Sequence, residues 1–78
     1  MGSKYPLLSA REIVKALHKA GFKEVSQRGS HHKLRNSSVM GGAVRTVIVP
    51  MHDEVARGTL RSILEQAGID LETFSVLL

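Results

Sequence analysis

The run Val44-Arg45-Thr46-Val47-Ile48-Val49-Pro50 constrains this chain more than any other stretch. Val, Ile and Thr branch at Cβ, which crowds a helix and suits a pleated surface, so residues 44–50 are expected to form a strand. Pro50 has no amide hydrogen to give to a ladder and ends it. One strand needs partners, and two candidates precede it. Phe22–Arg28 is the first, although Phe22 and Val25 break strict alternation of apolar and polar residues. His31–Asn36 is the second. Successive strand side chains point to opposite faces, so His32 and Leu34 share one face while His31, Lys33 and Arg35 share the other. Gly29-Ser30 between the two strands marks a bulge or a close backbone approach. Residues 36–43, polar and turn-rich with Gly41-Gly42, are expected to form a hairpin loop.

Helical patterns flank the strands. Ser9-Ala10-Arg11-Glu12 is a capping box, in which the Ser hydroxyl accepts from the third helical amide and the Glu side chain reaches back to the Ser amide. Leu7 or Leu8 supplies the hydrophobic staple. Ile13, Leu17 and Ala20 recur at i, i+4 and i+7 with Val14 beside them, giving one apolar stripe that Gly21 closes; the helix spans residues 9–20. After the third strand, residues 51–57 form a connector that contains His52 and the acidic pair Asp53-Glu54. Leu60, Ile63, Leu64 and Ala67 form a second stripe. The Thr59 hydroxyl caps its start, Arg61 lies on its solvated face and Gly68 stops it. Asp70 caps a short last helix through Leu71, Phe74, Leu77 and Leu78.

The expected fold class is α+β: helix, three-stranded antiparallel sheet, helix, and a short C-terminal helix. Short connections make the strands a meander with both longer helices on one face. The other face stays open and carries His31, Lys33 and Arg45. This order is that of double-stranded-RNA-binding domains, which read RNA by shape and backbone. Residues 1–78 form one domain in this reading, with a flexible N-terminus over residues 1–5. A chain of 78 residues buries only ~60% of its unfolded surface. It has room for a surface groove but not for a cofactor domain, so no cofactor is expected. The chain has no cysteine. Disulfides, thiolate metal sites and cysteine nucleophiles are thereby excluded, and a reducing cytoplasm suits it. No apolar run approaches the ~20 residues of a membrane span.

Charge divides unevenly along the chain. Residues 1–45 hold nine Lys or Arg against Glu12 and Glu24, a net of +7. Residues 46–78 hold Arg57 and Arg61 against five acidic residues, a net of −3. A basic half points one face toward a polyanion, with nucleic acid first. Within that half lies Arg28-Gly29-Ser30-His31-His32-Lys33. Histidine exchanges protons near neutral pH. Adjacent strand histidines are more often just an exposed pair facing opposite ways, but the basic face gives His31 the stronger claim. His32 is a supporting or packed residue. His52 is the better second candidate, against a plain role at the helix entry, and His18 is a surface residue. His31, His32, His52 and Asp53 are zinc-type ligands, yet neighbours on one strand point apart, so no metal is expected.

At these residues the chain resembles the HicA toxins, small bacterial mRNA interferases of toxin–antitoxin pairs. The resemblance runs through residues 9–21, Arg28-Gly29-Ser30-His31-His32, Val47-Ile48-Val49-Pro50-Met51-His52 and residues 58–68. Gly-Ser-His-His, Val-Pro-Met-His and Gly-Thr-Leu-Arg-x-Ile-Leu-x-Gln-Ala-Gly, in that order, are its most specific parts. Residues 36–43 are long beside the family's usual short turn. The resemblance implies a double-stranded-RNA-binding-like fold and RNA cleavage by a single catalytic histidine, His31. It also implies a cognate HicB-type antitoxin that covers the His31 face. In this reading Arg28, Gly29, Ser30, Lys33, Arg35 and Arg45 contact the RNA. Two other readings are a non-catalytic RNA-binding module and a domain whose edge strand accepts a partner strand.

Overall fold

The computed structural model describes residues 4–36 and 44–78. Helix α1 spans Ala10–Lys19 and opens with the expected box: Ser9 Oγ accepts from the Glu12 amide at 3.2 Å, and Glu12 Oε1 accepts from the Ser9 amide at 3.0 Å. The bond from the Ser9 amide, and then that from its hydroxyl, holds the Glu12 carboxyl below its ordinary pKa. A helix leaves its first amides without internal partners. The Ala10 amide finds one in the His52 carbonyl at 3.0 Å, which ties the connector to the start of α1. The same connector pairs with the entry segment, where the Val55 amide donates to the Leu8 carbonyl at 2.7 Å. At the far end Gly21, at φ 98, takes the chain out of the helix through backbone that other residues avoid.

The sheet holds β1 (Phe22–Arg28), β2 (His31–Asn36) and β3 (Thr46–Pro50), antiparallel in the order β1-β2-β3. The fold class is the expected α+β one. β3 starts two residues later than its β-branched run because its partner ends first: the Asn36 amide donates to the Arg45 carbonyl, and Val44 stands exposed beyond the ladder. Residues 37–43 of the expected hairpin loop, and residues 1–3 of the expected flexible N-terminus, lie outside the described residues. Tyr5 packs against the core, and its carbonyl accepts from Arg57 Nε at 2.8 Å.

Helix α2 spans Arg57–Ala67 and α3 spans Leu71–Leu77. α2 begins before Thr59, at an N-cap, Ala56, that makes no side-chain capping bond, so Thr59 lies inside the helix and is not its cap. The bridge at Val55 fixes the chain immediately upstream and starts the helix early. Asp70 caps α3 by accepting from the Thr73 amide at 2.7 Å, a bond that also lowers the Asp70 pKa. Ile13 and Leu17 of α1, Leu34, Val47 and Val49 of the sheet, Leu60 and Ile63 of α2 and Phe74 of α3 are all fully buried together. Each such side chain contributes about 1.5–3 kcal/mol of burial. Both longer helices therefore lie on the Leu34 face, and the His31 face is left bare. One further contact finishes the β3 side. Gln66 Oε1 of α2 accepts from the Ile48 amide at 3.1 Å, on the edge of β3 that faces away from β2.

Candidate functional site

The open face is set by a bulge. β1 pairs with β2 as Lys23↔Arg35 and Glu24↔Leu34, then Val25 is skipped, and pairing resumes as Ser26↔Lys33, Gln27↔His32 and Arg28↔His31. A bulge inserts one residue and so reverses which face every later side chain takes. Without it Val25 would stand opposite Lys33 and Arg28 would turn toward the helices. With it Ser26 and Arg28 join His31 and Lys33 on the bare side. The sequence marks the spot through broken alternation at Val25; Gly29-Ser30, expected as a bulge or a close backbone approach, forms a two-residue turn. Gly29 takes φ 58 there, the left-handed backbone that two-residue hairpins require.

His31 is exposed at the start of β2, across from Arg28 on one side and Pro50 on the other. The end of the ladder holds it in place: the Met51 amide donates to the Ser30 carbonyl at 2.6 Å. Ser26, Gln27, Arg28, His31, Lys33 and Ile48 line one groove of about 390 Å³. Lys33 stands two residues along β2, so about 6.6 Å from His31 at the usual strand rise. Arg35 continues the same face toward the far end, with its Nε 3.4 Å from Thr46 Oγ1. The face therefore carries four cations, Lys23, Arg28, Lys33 and Arg35, around one imidazole, a track that an extended polyanion could follow.

His32 has a different setting. Its side chain is 15% exposed on the helix-covered side, and Nδ1 lies 3.2 Å from Glu24 Oε1. That nitrogen is buried and its geometry misses a hydrogen bond, so the attraction is one of charge alone when the ring is protonated. His52 is exposed and offers its carbonyl, not its ring, to α1. Arg45 does not join the open face. It precedes Thr46 on the opposite side of the strand and lies across the end of α2, so that a Cβ on Gly68 would meet Arg45 Nε at 2.5 Å. Alternation from Thr46 gives the reason, since Thr46 pairs with Arg35 on the bare side. Ser26, Gln27 and Ile48 also line the groove, Gln27 with its side chain on the His32 face. The sequence signal for Ser26 is the broken alternation before it, and for Ile48 its place between Val47 and Val49.

Among the described residues, no group of three or more His, Asp or Glu side chains could hold a metal ion. Nor, among them, is any helix long and apolar enough to cross a membrane. Comparison with curated proteins gives no match. The family model of the HicA toxin of bacterial toxin-antitoxin systems matches residues 10–69, which takes in α1, the whole sheet and α2. The chain thus belongs to the HicA toxin family, which gives it the toxin role of a toxin–antitoxin pair and implies a cognate antitoxin as its partner.

Proposed function

We propose that this toxin is an mRNA interferase, a metal-independent endoribonuclease that arrests translation by cutting messages, with His31 as its catalytic histidine. The observation that carries the reading is the placement of exposed His31 between Arg28 and Lys33 in one groove on the helix-free face. RNA brings its own nucleophile. The 2′-hydroxyl attacks the adjacent phosphorus as a base removes its proton. The P–O5′ bond breaks, and the leaving 5′-oxygen takes up a proton. The products are a 2′,3′-cyclic phosphate and a 5′-hydroxyl. One imidazole takes the first proton or gives the second, while water in the open groove serves the other transfer. Such acid–base help gives about 10²–10⁴-fold. Arg28 and Lys33 hold the phosphate and the negative charge that grows on it, and Arg35 holds the strand further along. Amides of the Gly29-Ser30 turn lie close enough in sequence to bond a phosphate oxygen. The fold serves as a double-stranded-RNA-binding-like platform, and the antitoxin covers the His31 face in the resting cytoplasmic pair.

The test is cleavage of a long unstructured RNA in EDTA by the native chain, His31→Ala and His32→Ala. Loss of cutting in His31→Ala alone, about 10²–10⁴-fold, with RNA binding retained, is the expected result. Equal activity in all three, or none in any, leaves the basic face as a non-catalytic RNA-binding surface.

A further inference from the structure

We propose that the groove beside His31 is a nucleobase pocket, in which Ile48 packs against one RNA base next to the cut and Ser26 reads its edge. This rests on the ribonuclease reading and assigns the choice of sequence to residues outside the catalytic set. Arg28 and Lys33 account for the phosphate, and phosphate contacts carry no sequence information because every nucleotide has the same one. With His31 at the cut, two uncharged side chains of the groove's bare face remain, Ser26 and Ile48. A single exposed aliphatic side chain is ordinary on a protein surface. Ile48, 37% exposed, is different in its company: it stands across the ladder from Lys33 and shares its groove with the Ser26 hydroxyl. A base has apolar faces and a polar rim, and this pair offers one surface for each. The volume, about 390 Å³, falls in the range of small-ligand sites, roughly 300–1,000 Å³. The Val25 bulge supports the assignment, because it exchanges a valine for Ser26 on this face.

The experiment maps cut positions on an RNA pool of random sequence, using the native chain, Ser26→Ala, Ile48→Thr and, as a control on α1, Lys15→Ala. Ile48→Thr keeps the branched shape that suits a strand, so its effect reports lost apolar contact and not lost fold. The native chain is expected to favour one base beside the break. Loss of one hydrogen bond or of the Ile48 contact should lower that preference by about threefold to tenfold, and Lys15→Ala should keep it. Unbiased cutting by the native chain, or unchanged bias in both groove variants, overturns the proposal. A second measurement separates this from the ribonuclease reading: His31→Ala protein is titrated with four trinucleotides that differ in the central base, following the amide signals of Ser26 and Ile48. If the native chain cuts nothing, base-dependent shifts still uphold the pocket, and base-independent shifts or none overturn it.

Discussion

His31 and His32 are neighbours in sequence, and the two faces of β2 give them different surroundings. One face carries His31, Lys33 and Arg35 into solvent above a groove. The other carries His32, half-sheltered beside Glu24, and Leu34 at the centre of the core. The difference shows how one strand divides its labour. Its even-numbered side chains hold the sheet to the helices, and its odd-numbered ones are left free to meet a ligand. The same division explains why adjacent histidines here should not be read as a pair. Each belongs to a set of residues two apart, and the strand backbone separates the sets.

The two faces should differ measurably. The largest stability effect belongs to the covered face. Leu34→Ala should destabilise the fold by about 2–5 kcal/mol, while Lys33→Ala should stay within about 0.5 kcal/mol; urea unfolding compares them, and similar losses would dissolve the contrast. Next comes capping on the helix side, where Ser9→Ala should lose about 1 kcal/mol by the same assay. On the open face, Arg28→Ala should lower the slope of log affinity for single-stranded RNA against log salt by about 0.7. Deleting Val25 should leave that slope unchanged, since Ser26 then follows Glu24 directly and Arg28 still stands opposite His31 on the bare face. Anisotropy titrations at several salt concentrations read both, and a slope lowered in the deletion as in Arg28→Ala would mean that the register does not aim Arg28.

The smallest effect concerns pH. Glu12 and Asp70 are held below their ordinary pKa by the bonds they accept, so their stabilising contribution is complete above that ordinary value and fades as the pH falls through the lower folded value. The thermal midpoint should therefore decline below about pH 4. The double variant Glu12→Gln, Asp70→Asn should show a shallower decline, and parallel curves would remove these caps from the acid response.

Much of this was legible along the chain because it is local. The Ser9–Glu12 box, the stripe through Ile13 and Leu17, Gly21 and Gly68 as stops and Asp70 as a cap each need only a few neighbouring residues to declare themselves. The face shared by His31, Lys33 and Arg35 followed from alternation alone. What escaped depends on register or on distant partners. One unpaired residue at Val25 decides the side that Ser26 and Arg28 take, and composition cannot say where a ladder slips. Arg45 belongs to the basic half by charge but shares the Val47 and Val49 side of β3, with α2 ending beneath it. Ile48 was read as one more β-branched residue, since its place in the groove arises only when β3 lies beside β2.

Gln66 and Pro50 together limit how copies of this chain could join. Along the outer edge of β3 the amides that point away from β2 belong to alternate residues, Thr46, Ile48 and Pro50. Gln66 occupies that of Ile48 and proline has none. Among the described residues no strand pairs with the far side of β1. A margin with two of its three outward amides closed is a poor seat for a strand, so the β1 margin is the one left to accept it. Edge-to-edge association of this protein would therefore end at two copies, because fibrous growth needs two open sides.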